Sequence, residues 1–394
     1  MPVEVFALMD LTSALNPEAI FATLADLIAI NSVNPNYPGG PGEAALSAYV
    51  GEFFRKNSIP FEVQPVFSDR SNIIARLGGG DGGRTLVLEA HMDTASEQGM
   101  SVDPFRPARE GNLMYGRGSC DTKGGLAAMM HALKLLKDLR LRPDASVILA
   151  ATVDEEYSFR GVLKFLENGV AADGAIVAEP TELETVVASK GCLRWRLRAR
   201  GRTAHSSKPH LGVNAICKMA HVIVALEERF SLSASRKHSL LGSPTLNVGV
   251  IQGGIQVNQV PEFCVIEVDR RVLPGETREE IQQQFADLLG ELQQTDPALD
   301  IEMEPPMLED FPLETSDKAR IVQVATEVCQ LMHRPCRLVG VPFASDASKI
   351  ARAGIPSIIW GPGNIDRAHA RDEYVELDQV VLATELYART ILAF

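Results

Sequence analysis

TLVLEAHMDT, residues 85–94, begins as an apolar run and ends on a histidine and an aspartate. Thr85–Glu89 has the length and composition of a buried strand. His91 and Asp93 follow at its carboxyl end, where functional groups collect in open α/β sheets. The pattern recurs outward from this stretch. Val147–Val153 runs into Asp154, Glu155 and Glu156; Ala175–Ala178 runs into Glu179; Ile355–Trp360 leads into GPGNIDRAH, which carries His369. Ser71–Leu77 reads as a further strand, joined to Thr85 by the glycine run Gly78–Gly83. No Gly-Lys-Ser/Thr follows that run, so it reads as a turn rather than a phosphate cradle. Helices alternate with these strands. One covers 17–30, with Asn16 as N-cap and Pro17 at the first helical position. Another covers Gly124–Leu139, with a stripe of Leu126, Met130, Leu133 and Leu136 that faces a core. Apolar strands alternating with helices predict an α/β fold with a mostly parallel sheet.

The middle of the chain has a different rhythm. Leu193, Trp195, Leu197 and Ala199 alternate with Arg194, Arg196, Arg198 and Arg200, as in a half-buried strand whose arginines form a solvated face. A helix over 213–226 follows, then strands near Leu246–Ile251 and Phe263–Val272. Thr277 and Glu280 form a capping box that opens the next helix, and a last strand alternates Leu299, Ile301 and Met303. The order β-α-β-β-α-β is ferredoxin-like. The predicted plan is a domain made of 1–188 and 307–394, with an α+β domain inserted at 189–306.

The chain has 394 residues, with 38 basic against 51 acidic side chains and a net charge of −13. That balance disfavours nucleic acid and anionic lipid as partners. No apolar run reaches the ~18 residues of a membrane span, and MPVEVFALMDL lacks the basic start of a leader. Six cysteines without a CxxC motif give no disulfide scaffold, so the cytoplasm is the expected compartment.

Each candidate residue has a plain alternative when taken alone. His91 could be a satisfied structural histidine. Asp121, in GRGSCDTKGG just ahead of a helix, could be an N-cap. Asp154–Glu156 could be a solvated acidic loop. Cys120 has no histidine and asparagine assigned to it and reads as a small buried residue. Together, two histidines and several carboxylates at strand ends, with no cysteine cluster, suit zinc, manganese or cobalt. So many ligands suggest two metals sharing a carboxylate, with one carboxylate left free as general base.

From NSVNP at Asn31–Pro35 to AHARDEYVE at Ala368–Glu376, the chain resembles the dizinc metallohydrolases. That family includes acetylornithine deacetylase, succinyl-diaminopimelate desuccinylase, aminoacylases and glutamate carboxypeptidase. LEAHMDT, GRGSCDTKGG, DEE, AEPT, GRTAHSSKP, GVNAI, DRRVLPGE and GPGNIDRAH occur in the family's order. The resemblance implies a zinc-hydrolase catalytic domain and an inserted lid and dimerisation domain. It makes His91, Asp121 and Glu179 ligands of one zinc, and Asp121, Glu156 and His369 ligands of the other. Cobalt or manganese would be possible substitutes. It makes Glu155 the general base and Asp93 the partner that fixes the tautomer of His91. His205 would steady the oxyanion, Asn258 and Arg271 would contact the substrate's carboxylate or the oxyanion, and Gly363 would make a backbone contact near the ligand. The implied reaction is amide hydrolysis of an N-acyl amino acid or short peptide, with acetylornithine favoured and a homodimer expected. Ser345-Asp346-Ala347 looks more like the desuccinylase and carboxypeptidase branches. The remaining histidines (131, 210, 221, 238, 333) match nothing and read as structural or exposed.

Overall fold

Parallel pairing at the centre of a large sheet brings several strand ends to one edge. A computed structural model of the chain describes residues 11–79, 83–231 and 236–394. The stretch weighed as a leader (all but its last residue) and the middle of the Gly78–Gly83 turn lie outside the described residues. The fold is mixed α/β, with a mainly parallel central sheet and separate antiparallel sheets. The chain divides into two compact units. The first takes in the chain to Val187, Thr315–Val339 and Ser345–Phe394; the second takes in Ala188–Glu314 and Gly340–Ala344.

In the first unit the strand order is Phe61–Pro65, Ser71–Leu77, Ser146–Thr152, Thr85–His91, Gly174–Val177, Ser357–Ile359. Thr85–His91 pairs in parallel with Ser146–Thr152, placing His91 opposite Thr152, and in parallel with Gly174–Val177 on its other side. The central strands are almost wholly buried, as expected where helices cover both faces. The Thr85 strand runs two residues further than its apolar run suggests, so His91 is itself a ladder residue. Strand Ser357–Ile359 is shorter than the Ile355–Trp360 run, and Pro356 just ahead of it has no N–H to donate.

Asn16 caps the Pro17–Ala29 helix by accepting a hydrogen bond from the Ala19 N–H. Helix Gly124–Asp138 carries the expected stripe, yet Ala127, Ala128 and Met129 are equally buried. It sits close to the sheet: a Cβ added at Gly125 would lie 2.5 Å from the Ala178 Cβ, so glycine is required there. His131 on this helix is buried, 2.8 Å from the Thr23 hydroxyl. Burial pushes its pKa down to about 4. Because the folded value lies below the unfolded ~6.5, the stability contributed by neutral His131 is complete above pH 6.5. It is lost as pH falls toward 4, by about 3 kcal/mol in all. Thermal melts of His131→Gln should therefore fall less between pH 7 and pH 4.5 than those of the parent; parallel losses would show that His131 does not control this range.

The second unit forms an antiparallel sheet in the order Thr245–Gly253, Phe263–Val272, Gly191–Arg200, Asp300–Met303. Trp195, Leu197, Ile266, Val268, Met219 and Phe285 form its core, with Trp195 and Phe285 edge-on at 4.7 Å. Thr277 and Glu280 make the capping box in both directions. The arginines of the central strand each face a carboxylate on a neighbouring segment: Arg194–Asp269, Arg196–Glu267, Arg198–Glu304 and Arg200–Glu302. Such exposed pairs are worth about 0–1 kcal/mol each, but they neutralise the face. Residues 340–344 join this unit where the Lys190 N–H donates to the Val341 carbonyl at 3.1 Å. No helix among the described residues is long and apolar enough to cross a membrane.

Candidate metal centre

Five segments of the first unit converge on one cluster. His91 ends its strand, and the Asp154–Glu156 loop follows the strand paired beside it. Glu179 follows Gly174–Val177, Asp121 precedes the Gly124 helix, and His369 follows the turn Ile365–Arg367. The His91 Nε2 lies 3.0 Å from Asp121 Oδ1 and 3.7 Å from Glu179 Oε1. The His369 Nε2 lies 3.4 Å from Asp121 Oδ2 and 2.9 Å from Glu156 Oε1. Asp121 therefore turns one oxygen toward each histidine. Ligand-competent atoms of Asp121, Glu156 and His369 lie within 4.8 Å of one another, as do those of His91, Glu155 and Glu179.

The loops are held by buried hydrogen bonds. Glu373 Oε1 accepts the N–H groups of Cys120 and Asp121, and its other oxygen accepts from Arg117 at 2.6 Å. The Glu155 and Glu156 N–H groups donate to the two oxygens of Asp93, at 3.0 and 3.1 Å. His91 Nδ1 is 2.9 Å from the main-chain carbonyl of Asp93 but 3.6 Å from its carboxylate. The close partner of the His91 ring is thus the backbone of Asp93, while the carboxylate holds the acidic loop. Cys120 is buried, its thiol donates to the Asn364 carbonyl at 3.3 Å, and burial pushes its pKa well up, which disfavours a thiolate.

Burial pushes the Glu155 carboxyl up to about 8 and the Glu179 carboxyl well above its usual range. The hydrogen bonds of Asp121 and Glu156 push His369 up to about 11. Burial works against charge on His91, yet Asp121, Glu179 and Glu155 raise its pKa well above normal. Protons thus compensate a crowd of buried anions. Divalent cations do the same with the ligands deprotonated, and a nitrogen-and-oxygen donor set without thiolate suits zinc, cobalt or manganese. The residues present fit such a centre.

Asn258 and His205 are neighbours in the second unit, where the Ser206 N–H donates to the Asn258 carbonyl. Arg271 pairs with Asp269, whereas Arg270 is buried against Glu276. Gly363, at φ +92°, donates its N–H to Gln379 and accepts at its carbonyl from the Glu182 N–H. A Cβ there would lie 2.6 Å from the Cys120 sulfur, so packing alone requires glycine. Sequence reasoning assigned no role to Asn34, Glu43, Arg70 or Glu373. Asn34 and Glu373 do fall inside NSVNP and AHARDEYVE, the two stretches that bound the resemblance.

An α/β sheet whose strand ends gather two histidines and four carboxylates is the framework of a metal-dependent hydrolase. The chain belongs to peptidase family M20/M25/M40, whose sequence profile matches residues 87–393. Acetylornithine deacetylase of Myxococcus xanthus is 30% identical over 95% of this chain and 97% of its own length. A Staphylococcus aureus protein described as "Probable succinyl-diaminopimelate desuccinylase" is 26% identical over 94% and 96%. Among solved structures, a dinuclear metal-binding M20 peptidase of Bacillus subtilis superposes with a TM-score of 0.75 at 14% identity, over 95% of this chain and 97% of that one. Members of the family are metal-dependent hydrolases that act on amide bonds.

Proposed function

We propose that this chain hydrolyses the amide bond of an N-acyl amino acid, with N-acetyl-L-ornithine as substrate and L-ornithine and acetate as products. The observation that carries the proposal is Asp121 set between His91 and His369, with Glu155 alongside. The acetylornithine deacetylase relative, similar over nearly its whole length, supports the substrate. In this proposal His91, Asp121 and Glu179 hold one zinc ion, and Asp121, Glu156 and His369 hold the second. The bound ions supply Lewis acidity toward the amide carbonyl and the attacking water. A Glu155 carboxylate oxygen takes a proton from that water as its oxygen attacks the carbonyl carbon. The same oxygen then delivers the proton to the amide nitrogen as the C–N bond breaks. Asp93 holds His91 and the Glu155 loop together. His205, Asn258, Arg271 and Gly363 belong to the proposal as substrate-contacting groups, tested by kcat and KM of their variants with zinc content as control.

Turnover on N-acetyl-L-ornithine, abolished by chelation and restored by zinc, is the expected result. The comparison panel is N-succinyl-diaminopimelate, other N-acetyl amino acids and a C-terminal glutamate dipeptide. Ser345-Asp346-Ala347 and the desuccinylase relative favour the second substrate as the alternative; highest turnover there would move the assignment. Turnover that survives chelation would remove the metal mechanism. Acetylornithine as the substrate would place the enzyme in arginine synthesis in the cytoplasm.

The proposal includes a homodimer through the inserted unit. Strand Thr245–Gly253 ends that sheet's order with Val250 and Ile251 exposed, and Ile216 and Val224 are exposed on the Ala215–Leu226 helix. Apolar edge strands of this kind invite pairing. Ile251→Lys is expected to shift the sedimenting species from dimer to monomer. A monomeric parent protein would end the proposal.

A further inference from the structure

We propose that Asn34 and Arg70 are positioning residues that set the aim of Glu155 through a buried hydrogen-bonded chain and do not touch the substrate. The inference rests on Glu155 being the proton-transferring group.

The acidic loop begins with a conformational problem. Asp154 adopts φ +70°, a left-handed conformation unfavourable for a non-glycine residue, and is fully buried. Neither feature persists unless its surroundings enforce it. Glu43 Oε1 accepts the Asp154 N–H at 3.0 Å and so holds the turn from the backbone side. Arg70 grips Glu43 through Nε and Nη2, at 2.5 and 2.7 Å, and reaches Asp154 Oδ1 at 3.0 Å with the same Nη2. Asn34 Nδ2 donates both to Asp154 Oδ1 at 2.9 Å and to Asp93 Oδ2 at 2.8 Å. The Asn34 amide can face only this way: its Oδ1 accepts from the N–H and the Nδ2 of Asn36, which leaves Nδ2 for the carboxylates. Asp93 in turn accepts the N–H groups of Glu155 and Glu156.

A continuous path therefore runs from the Arg70 guanidinium to the Glu155 amide, and every side chain along it is buried. The main chain of Asp93 also holds the His91 ring, so one residue registers the general base against the metal cluster. Arg70 is the cation against three buried carboxylates, and its planar fork meets two of them at once. A lysine point charge cannot reproduce that geometry. Such linkage matters because a displacement of about 1 Å at a reacting group can cost about a hundredfold in rate.

The test uses the zinc-loaded full chain with Asn34→Ala and Arg70→Lys, each alone and combined with Glu155→Gln. Expected for Asn34→Ala are a fall in kcat of about 10- to 100-fold, KM within about twofold and unchanged zinc content. Because the effect passes through Glu155, adding Asn34→Ala to Glu155→Gln should cost little more in single-turnover assays. Hydrogen exchange at the Glu155 and Glu156 amides should quicken in Asn34→Ala, a readout that needs no turnover. An unchanged kcat, or an equal fall in both backgrounds, would overturn the inference, as would unaltered exchange. A parent protein inert on the whole substrate panel would instead sink the functional reading, with exchange still reporting on the network. If Arg70→Lys fails to fold, Asn34→Ala carries the test.

Discussion

Glu155→Gln is expected to leave zinc bound and KM nearly unchanged while kcat falls by about 10²–10⁴-fold, the usual worth of a positioned general base. Glutamine keeps the size of the side chain and the main-chain donor to Asp93, but it cannot accept a proton from water. A competing role is written into the geometry, since Glu155 shares a ligand-competent group with His91 and Glu179. The two roles separate in one experiment. If Glu155 is a base, metal content measured after gel filtration stays at the parent level while turnover collapses. If it is a ligand, metal is lost in step with activity. In the base role, burial, which pushes this carboxyl up to about 8 without metal, would favour its accepting a proton from water.

Much of the candidate site was legible because it is written locally: an apolar strand that stops at a histidine or carboxylate. His91, Glu179 and the acidic loop announce themselves this way, and the structure gathers them with Asp121 and His369. What holds them in place was not legible, because the partners are remote in sequence. Asn34 reaches Asp154 across 120 residues, Arg70 reaches it across 84, and Glu373 reaches Asp121 across 252. No local pattern encodes such pairings. Which atoms of Asp93 meet the ring was not legible for a related reason. His-x-Asp spacing suggests a carboxylate facing the imidazole, but the amides of a loop some 60 residues away take that carboxylate, and the main-chain carbonyl serves the ring. The inserted unit was easier, since strand alternation and a capping box are local signals. The return of 340–344 to it depends on pairing across 151 residues with Lys190, which sequence does not announce.

Asp121→Asn should damage metal binding more than any other single substitution in the cluster, because Asp121 is the one side chain among the described residues that faces both histidines. Asparagine keeps the shape but offers one oxygen and no charge, so one histidine faces an amide NH2 that cannot ligate. Zinc content is expected to drop below the parent value and turnover to fall to background. The gain in stability on adding zinc should also shrink. At a thousandfold excess over Kd, a single bound ion stabilises the folded chain by about 4 kcal/mol, and the parent should show that as a rise in melting temperature that the variant largely lacks. The metal-free protein offers a second check. His369 owes its raised pKa first to Asp121 and then to Glu156, so in Asp121→Asn it should titrate lower than in the parent while staying above an isolated histidine. NMR titration of the His369 ring reads this directly. A variant that retained parental zinc affinity, with His369 unmoved, would show that Asp121 does not stand between the two ions.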